Sequence, residues 1–267
     1  MSNIENFFRR RVRKNKDSLK ILKEKRISMK ICKNESKLKD ELNNLRNETV
    51  ITGCRFSKRY CKKLGIFKYV FPVKGEYFSE VFRVMKKVNG KIVLGMGGGR
   101  TLDVAKMVSF QTGKKLVLIP TAPTHDGLIS RNSALIVNGV KRSYPTKFPQ
   151  KIIIPEYLWN LSNPLKNFGE LDIIGNIVAL EDVSLAMEEV NFRPEKNYMN
   201  LSILAVKNVL MDSTRGLAEA VFLSGLAMEN SSRYCSGAEH ELEKIMTKKF
   251  GKKRRLFCSY RGGYRGD

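Results

Sequence analysis

The chain is poor in the residues that staple or ligate. Five cysteines, Cys32, Cys54, Cys61, Cys235 and Cys258, are odd in number and include no C-x-x-C pair, and only two histidines occur, His125 and His240. That argues against a disulfide framework and fits reduced thiols in a cytoplasmic protein. No run approaches the roughly 20 apolar residues a membrane helix needs, and no apolar signal-type core follows the basic start, so neither insertion nor secretion is expected. Acidic residues are also short, 26 against 50 Lys and Arg, which leaves a formal charge of +24. Such a surplus suits anionic partners, whether phosphorylated metabolites, nucleotides, nucleic acid or a membrane surface. With no RRM signature, zinc-finger spacing or regular interleaving of aromatic and basic residues, nucleic acid is not the expected partner.

At 267 residues the chain can bury a sizeable core. Residues 1–46 concentrate the positive charge, with Arg9-Arg10-Arg11-Val12-Arg13-Lys14 leading into a lysine-rich stretch that reads as a solvated helix or tail. From there strands and helices alternate. Strands are expected at 49–53, 67–73, 91–94, 115–120 and 151–155, and helices at 57–64, at 78–88 with Phe78, Val81, Phe82, Met85 and Val88 on one face, and from Thr101. Residues 133–140 and 142–145 read as an inserted hairpin. After 156 strand signals vanish, and helices are expected at 171–187, 200–209, 217–229 and 236–249. The expected fold is a parallel, Rossmann-like α/β dinucleotide-binding domain over 47–155, then an all-α domain over 156–267 that is incomplete.

The glycine run Gly95-Met96-Gly97-Gly98-Gly99-Arg100-Thr101-Leu102-Asp103 joins an apolar strand to a helix. Glycines there let the backbone approach a pyrophosphate, and the helix N-terminus favours its charge. The run is not the full G-x-G-x-x-G fingerprint, and taken alone it is a weak signal that reads more readily as a purely structural turn. A second strand ends in Thr121-Ala122-Pro123-Thr124-His125-Asp126-Gly127-Leu128-Ile129-Ser130. In a parallel sheet both loops lie at the carboxyl edge, although Thr121, Thr124, Asp126 and Ser130 also suit ordinary turns. In the helical half Asp172 and Asn176 share one face of an apolar helix. They are either a buried pair in need of a partner such as a metal, or simply water-facing. Ser236 and Glu239 have capping-box spacing, which would fix His240 on the first turn of a helix.

Together Gly97-Gly98-Gly99-Arg100-Thr101-x-Asp103-x-Ala105-Lys106, Pro120-Thr121-x-x-Thr124-x-Asp126-Gly127-x-x-Ser130, Asp172-x-x-x-Asn176 and Ser231-Ser232-Arg233-x-x-Ser236-Gly237-x-Glu239-His240 resemble the archaeal sn-glycerol-1-phosphate dehydrogenase family. That family belongs to the metal-dependent alcohol dehydrogenase and dehydroquinate synthase superfamily. The resemblance spans about 49–240. It implies reversible reduction of dihydroxyacetone phosphate to sn-glycerol 1-phosphate by NADH or NADPH, for the backbone of archaeal phospholipids, in a cleft between the two domains. It further implies that Gly97, Gly98, Gly99, Arg100, Thr101, Asp103, Thr121, Ala122 and Thr124 hold NAD or NADP, with Ser130 nearby. Asp126 would touch substrate, and Asp172 and His240 would be catalytic residues that bind Zn2+, which acts as a Lewis acid.

The sequence departs from that family twice. Lys244 stands where the family has a substrate-touching histidine, and would meet the phosphate or alkoxide as a point charge. No histidine follows His240, so the third zinc ligand is missing, with Cys258 a speculative substitute. Residues 252–267 read as a truncation or a reading-frame shift, since codons for 259–266 can be chosen so that the next frame gives His-Thr-Gly-Glu-Val-Ile-Gly. The alternatives to an active dehydrogenase are a catalytically silent homologue that keeps nucleotide binding, and a basic nucleic-acid-binding protein. Preference between NAD and NADP, and a homo-oligomeric state, are left open by the sequence.

Overall fold

A computed structural model describes Lys25 and residues 27–211 and 213–250, apart from the side chains of 163, 164, 243, 244 and 247–250. The first half is an α/β unit: β1 Ser28–Cys32, α1 Glu35–Leu42, β2 Thr49–Gly53, α2 Phe56–Leu64, β3 Tyr69–Val73, α3 Phe78–Met85, β4 Ile92–Gly97, α4 Gly99–Thr112, β5 Lys115–Pro120, β6 Asn132–Val137, β7 Val140–Pro145 and β8 Lys151–Pro155. Five helices follow, α5 Glu156–Leu161, α6 Asn163–Glu189, α7 Lys196–Val209, α8 Thr214–Ala227 and α9 Ala238–Phe250.

Six strands form one sheet in the order β1-β8-β5-β4-β2-β3, and every pair in it is parallel. Parallel strands buried on both faces read as continuous apolar runs, and Val93, Leu94, Leu116, Val117, Leu118 and Ile119 are all buried. The chain runs from β2 out to β3 and returns across β2 to β4. That reversal puts the switch point between the carboxyl ends of β2 and β4, where a ligand crevice forms in open sheets of this kind. Beneath it α4 is packed unusually close. A Cβ on Gly95 would stand 2.7 Å from the Cβ of Ala105, so only glycine admits the helix at this distance.

The inserted hairpin is present as β6 and β7, joined by Asn138 and Gly139 at φ 50° and 77°, as a two-residue turn of this hand requires. Two expectations are corrected. Residues 27–46 are not a solvated extension, because β1 pairs in parallel with β8 and α1 buries Leu38 and Leu42 completely. Lysines on the outward positions hid this element, and the fold pairs two of them, Lys30 with Glu41 at 3.5 Å and Lys39 with Glu35 at 3.3 Å. The basic run at 9–16 lies outside the described residues. On α3, Phe82 is exposed and edges onto Phe78 at 5.1 Å, while Val81 and Val84 face the core. No helix among the described residues is long and apolar enough to cross a membrane.

Candidate functional site

The glycine turn and the loop after β5 meet at the carboxyl edge of the sheet. Gly97 closes β4 with φ 156°, Gly98 caps α4 with extended backbone, and α4 begins at Gly99. The Thr121 amide donates to the Gly97 carbonyl at 3.0 Å, which holds the two loops side by side. A Cβ on Gly98 would meet nothing within 4 Å, so the front of the turn is open, as a phosphate cradle requires. Above Gly99 sits His125, whose Nε2 would be 2.4 Å from a Cβ there. Thr101 is buried against the ends of β2 and β4, Arg100 reaches 3.9 Å from Glu76, and Thr121, Ala122 and Ser130 are buried with Thr124 half-buried. The ten residues expected to hold the dinucleotide thus fall on two adjoining loops and one helix start.

Across from this turn stands a buried polar group that draws on three elements. The short helical turn Asp126–Leu128 presents Asp126, α6 presents Asp172 and Asn176, and α8 presents Ser224. Asp172 and Asn176 do not face water: they are 3% and 0% exposed. The Asp126 amide donates to Asp172 Oδ2 at 2.9 Å, the Ser224 hydroxyl donates to Asp126 Oδ2 at 2.7 Å, and Asn176 Nδ2 donates to Ser224 Oγ at 3.0 Å. Because Asn176 fills the hydroxyl's acceptor side, the Ser224 proton is committed to Asp126. The Oδ1 of Asn176 is buried without a partner.

Electrostatically this cluster is short of positive charge. Burial, and then repulsion from Asp126, push the Asp172 carboxyl well above its ordinary range. Burial also raises Asp126, against the Ser224 hydrogen bond and the field of His240. Two buried carboxyls that repel one another do not both ionise readily unless a cation joins them. His240, half-buried near the start of α9, is placed by a device other than the expected capping box. Asp182 of α6 accepts from the Ala238 amide at 2.6 Å, and Glu239 accepts from the Gly237 amide at 2.9 Å rather than from Ser236. Glu239 also holds His240 Nδ1 at 2.6 Å. Burial raises the Glu239 carboxyl, but these bonds outweigh it and keep it below the usual range.

The donors suit a metal in kind but not in number. The field of His240 reaches Asp126, whose amide donates to Asp172, yet no group of three or more His, Cys, Asp or Glu side chains among the described residues could hold a metal ion. A catalytic zinc takes three protein ligands. Lys244 lies on α9, but its side chain is not among those described, and Cys258 with the whole 251–267 segment lies outside the described residues. A cavity of about 190 Å³ between Asp182, Phe192, Arg233 and Ser236 sits under the α9 start and holds none of the expected site residues. Ser224 was not foreseen. Its only sequence signal is the Ser224-Gly225 pair inside an apolar helix, where a Cβ on Gly225 would come within 3.2 Å of the Asp126 carbonyl.

Residues 58–156 match the family model for iron-containing alcohol dehydrogenase. The chain is 33% identical over 231 residues to glycerol-1-phosphate dehydrogenase [NAD(P)+] of Metallosphaera sedula, covering 77% of this chain and 66% of that one. It is 31% identical over 188 residues to the protein of the same name from Pyrococcus horikoshii, covering 64% of this chain and 54% of that one. The chain therefore spans just under two thirds, or less, of the curated relatives it matches. Among solved structures, a probable glycerol dehydrogenase from Sinorhizobium meliloti superposes with a TM-score of 0.64 at 19% identity, over 84% of this chain and 70% of that one. Sulfoacetaldehyde reductase from Bifidobacterium kashiwanohense, in complex with NAD+, gives 0.61 at 16% identity, over 84% and 70%.

Proposed function

Since the chain belongs to the iron-containing alcohol dehydrogenase family and has glycerol-1-phosphate dehydrogenases as relatives, we propose that it reversibly reduces dihydroxyacetone phosphate to sn-glycerol 1-phosphate with NADH or NADPH. The observation that carries this reading is the juxtaposition of an open glycine turn with the Asp126 and Asp172 pair, which stands on a neighbouring loop and on α6.

In this reading Gly97, Gly98, Gly99, Arg100 and Thr101 cradle the pyrophosphate, whose charge the α4 N-terminus favours, and Asp103, Thr121, Ala122, Thr124 and Ser130 complete the dinucleotide site. Asp126, oriented by Ser224, hydrogen-bonds a substrate hydroxyl, and Lys244 meets the phosphate. Asp172 and His240 supply two donors of the kind Zn2+ takes, and a third has to be sought outside the described residues. A bound zinc would polarise the ketone oxygen as a Lewis acid, and the cofactor would supply the hydride. The surplus positive charge gathers two anionic ligands. The product is the backbone of archaeal phospholipids, and the reaction is placed in the cytoplasm.

The count of two metal donors favours a second reading, a homologue that binds nucleotide without turnover. One experiment separates them. The full chain is loaded with Zn2+ and assayed for metal content and for NADH or NADPH oxidation with and without dihydroxyacetone phosphate. Bound zinc and substrate-dependent oxidation, with sn-1 product, support the dehydrogenase; nucleotide binding with no oxidation overturns it in favour of the second reading.

A further inference from the structure

The most deeply buried basic side chain among the described residues has no role in the reaction described above. Lys106 of α4 is 1% exposed, and its Nζ donates to the Gly127 carbonyl at 2.5 Å and the Asn132 carbonyl at 3.0 Å, and lies 3.5 Å from Asp103 Oδ1. An ammonium has three N–H groups, and each finds an acceptor here. The same two carbonyls also accept from Ser130 Oγ at 3.3 and 3.4 Å. The segment from Gly127 to Asn132 is thus drawn shut around two donors, one from its own Ser130 and one from Lys106 of α4. A second tie runs beside it, where Ser133 Oγ donates to the Asp103 carbonyl at 2.8 Å.

The two ends of this connection matter more than its middle. Asp126 immediately precedes the drawn-in segment, and α4 starts at the glycine turn about two helical turns before Lys106. An apolar side chain of similar length would fill the space without the cost of burying a charge. What the lysine adds is its hold on the two loop carbonyls; burial lowers its pKa, against the opposing pull of Asp103 and then Asp126.

We propose that Lys106 is a positioning residue whose ammonium locks the loop carrying Asp126 and Ser130 to the helix that begins at the glycine turn, and so sets the separation of substrate from dinucleotide. The lock stands on geometry alone; the identity of what is bound at its two ends rests on the reading above. Lys106→Met and Lys106→Gln, made in the full chain, test it by amide hydrogen exchange followed by mass spectrometry. K106M is expected to speed exchange over residues 125–133 at least tenfold while β2 and β3 stay within twofold. K106Q, which keeps N–H donors, is expected to lose only two- to fivefold over the same residues. In the active enzyme kcat falls tenfold or more in K106M, and the NADH dissociation constant moves less than threefold. Unchanged protection at 125–133 overturns the proposal, as does an equal loss in β2 and β3, which marks a residue of general stability. If K106M does not fold, K106Q decides alone: confined loss supports the lock and no loss overturns it. If the parent chain oxidises no cofactor, the reaction assignment falls while the exchange data still judge the lock.

Discussion

Ser224→Ala removes one oxygen from the centre of the buried polar group. The alanine deletes the 2.7 Å hydrogen bond to Asp126 Oδ2 and the acceptor of Asn176 Nδ2 at 3.0 Å. Loss of a hydrogen bond to an ionisable partner costs about 1.5–3 kcal/mol, and a buried donor left unpaired adds about 1–3 kcal/mol. The second cost is real here because Asn176 is 0% exposed and its Oδ1 already lacks a partner, so its whole amide is stranded. The expected loss is about 3–5 kcal/mol, read as a shift of the urea midpoint at constant m. Asn176→Ala alone loses one neutral bond and some packing. In S224A/N176A the stranded amide is gone, so the double variant is more stable than the sum of the single losses by about 1–3 kcal/mol. Additivity to within about 0.5 kcal/mol would refute the reasoning, since contacts that share no partner add.

Other perturbations follow from the same structure. Asp172 has its folded pKa raised above the ordinary 3.8, chiefly by burial, so the unfolded chain ionises first as pH rises. Metal-free protein therefore loses stability from about pH 4 upward, and Asp172→Asn should melt higher at pH 7 with a flatter pH profile in chelator; an equal loss of stability in both proteins removes this carboxylate as its source. Gly97→Ala places a Cβ 2.9 Å from Thr101 Oγ1 at a φ of 156°, and NADH affinity measured by fluorescence should fall about tenfold, roughly 1.4 kcal/mol. A Cβ on Gly237 would meet Asp182 Oδ2 at 2.4 Å and the Ala179 backbone at 2.8 Å, so Gly237→Ala should displace α9, lower stability by about 1–3 kcal/mol and reduce zinc uptake; unaltered melting would contradict the packing. Cys54 is exposed, whereas Cys32, Cys61 and Cys235 are buried, Cys61 with its thiol pushed up to about 11. In a Cys258→Ser background one thiol should react promptly with a disulfide reagent at pH 8 and three only after denaturation.

Much of the α/β half was legible because the β4, β5 and β8 strands are short apolar runs between turn signals, a pattern that burial on both faces of a parallel sheet imposes. The glycine turn was legible for a related reason: few sequences other than glycine fit where α4 approaches β4. What the sequence concealed was long-range. The β1 strand is an edge strand whose Lys30 lies outward beside Glu41, so charge masked its alternation. Asp172 and Asn176 read more readily as water-facing, since the partners that bury them are 46 and 48 residues distant in sequence. Ser236 and Glu239 had the right spacing for a reciprocal cap, but Asp182 reached the α9 start first and shifted the helix one residue on.

That substitution of caps has a consequence for the candidate site. Asp172 and Asp182 lie ten residues apart on α6, about 15 Å along its axis. One carboxylate anchors the Asp126 loop and the other fixes the first turn of α9, on which His240 stands. A local capping box would have set the orientation of His240 relative to its own helix only. A cap from α6 sets it relative to the helix that carries Asp172, so the two donors share a single rigid reference although 68 residues separate them in sequence. Lys106 does the same for the opposite wall, tying the Asp126 loop to the helix of the glycine turn. The site is therefore registered by polar side chains that reach between elements, and positions of that kind carry no local sequence signature because their partners are set only when the chain folds.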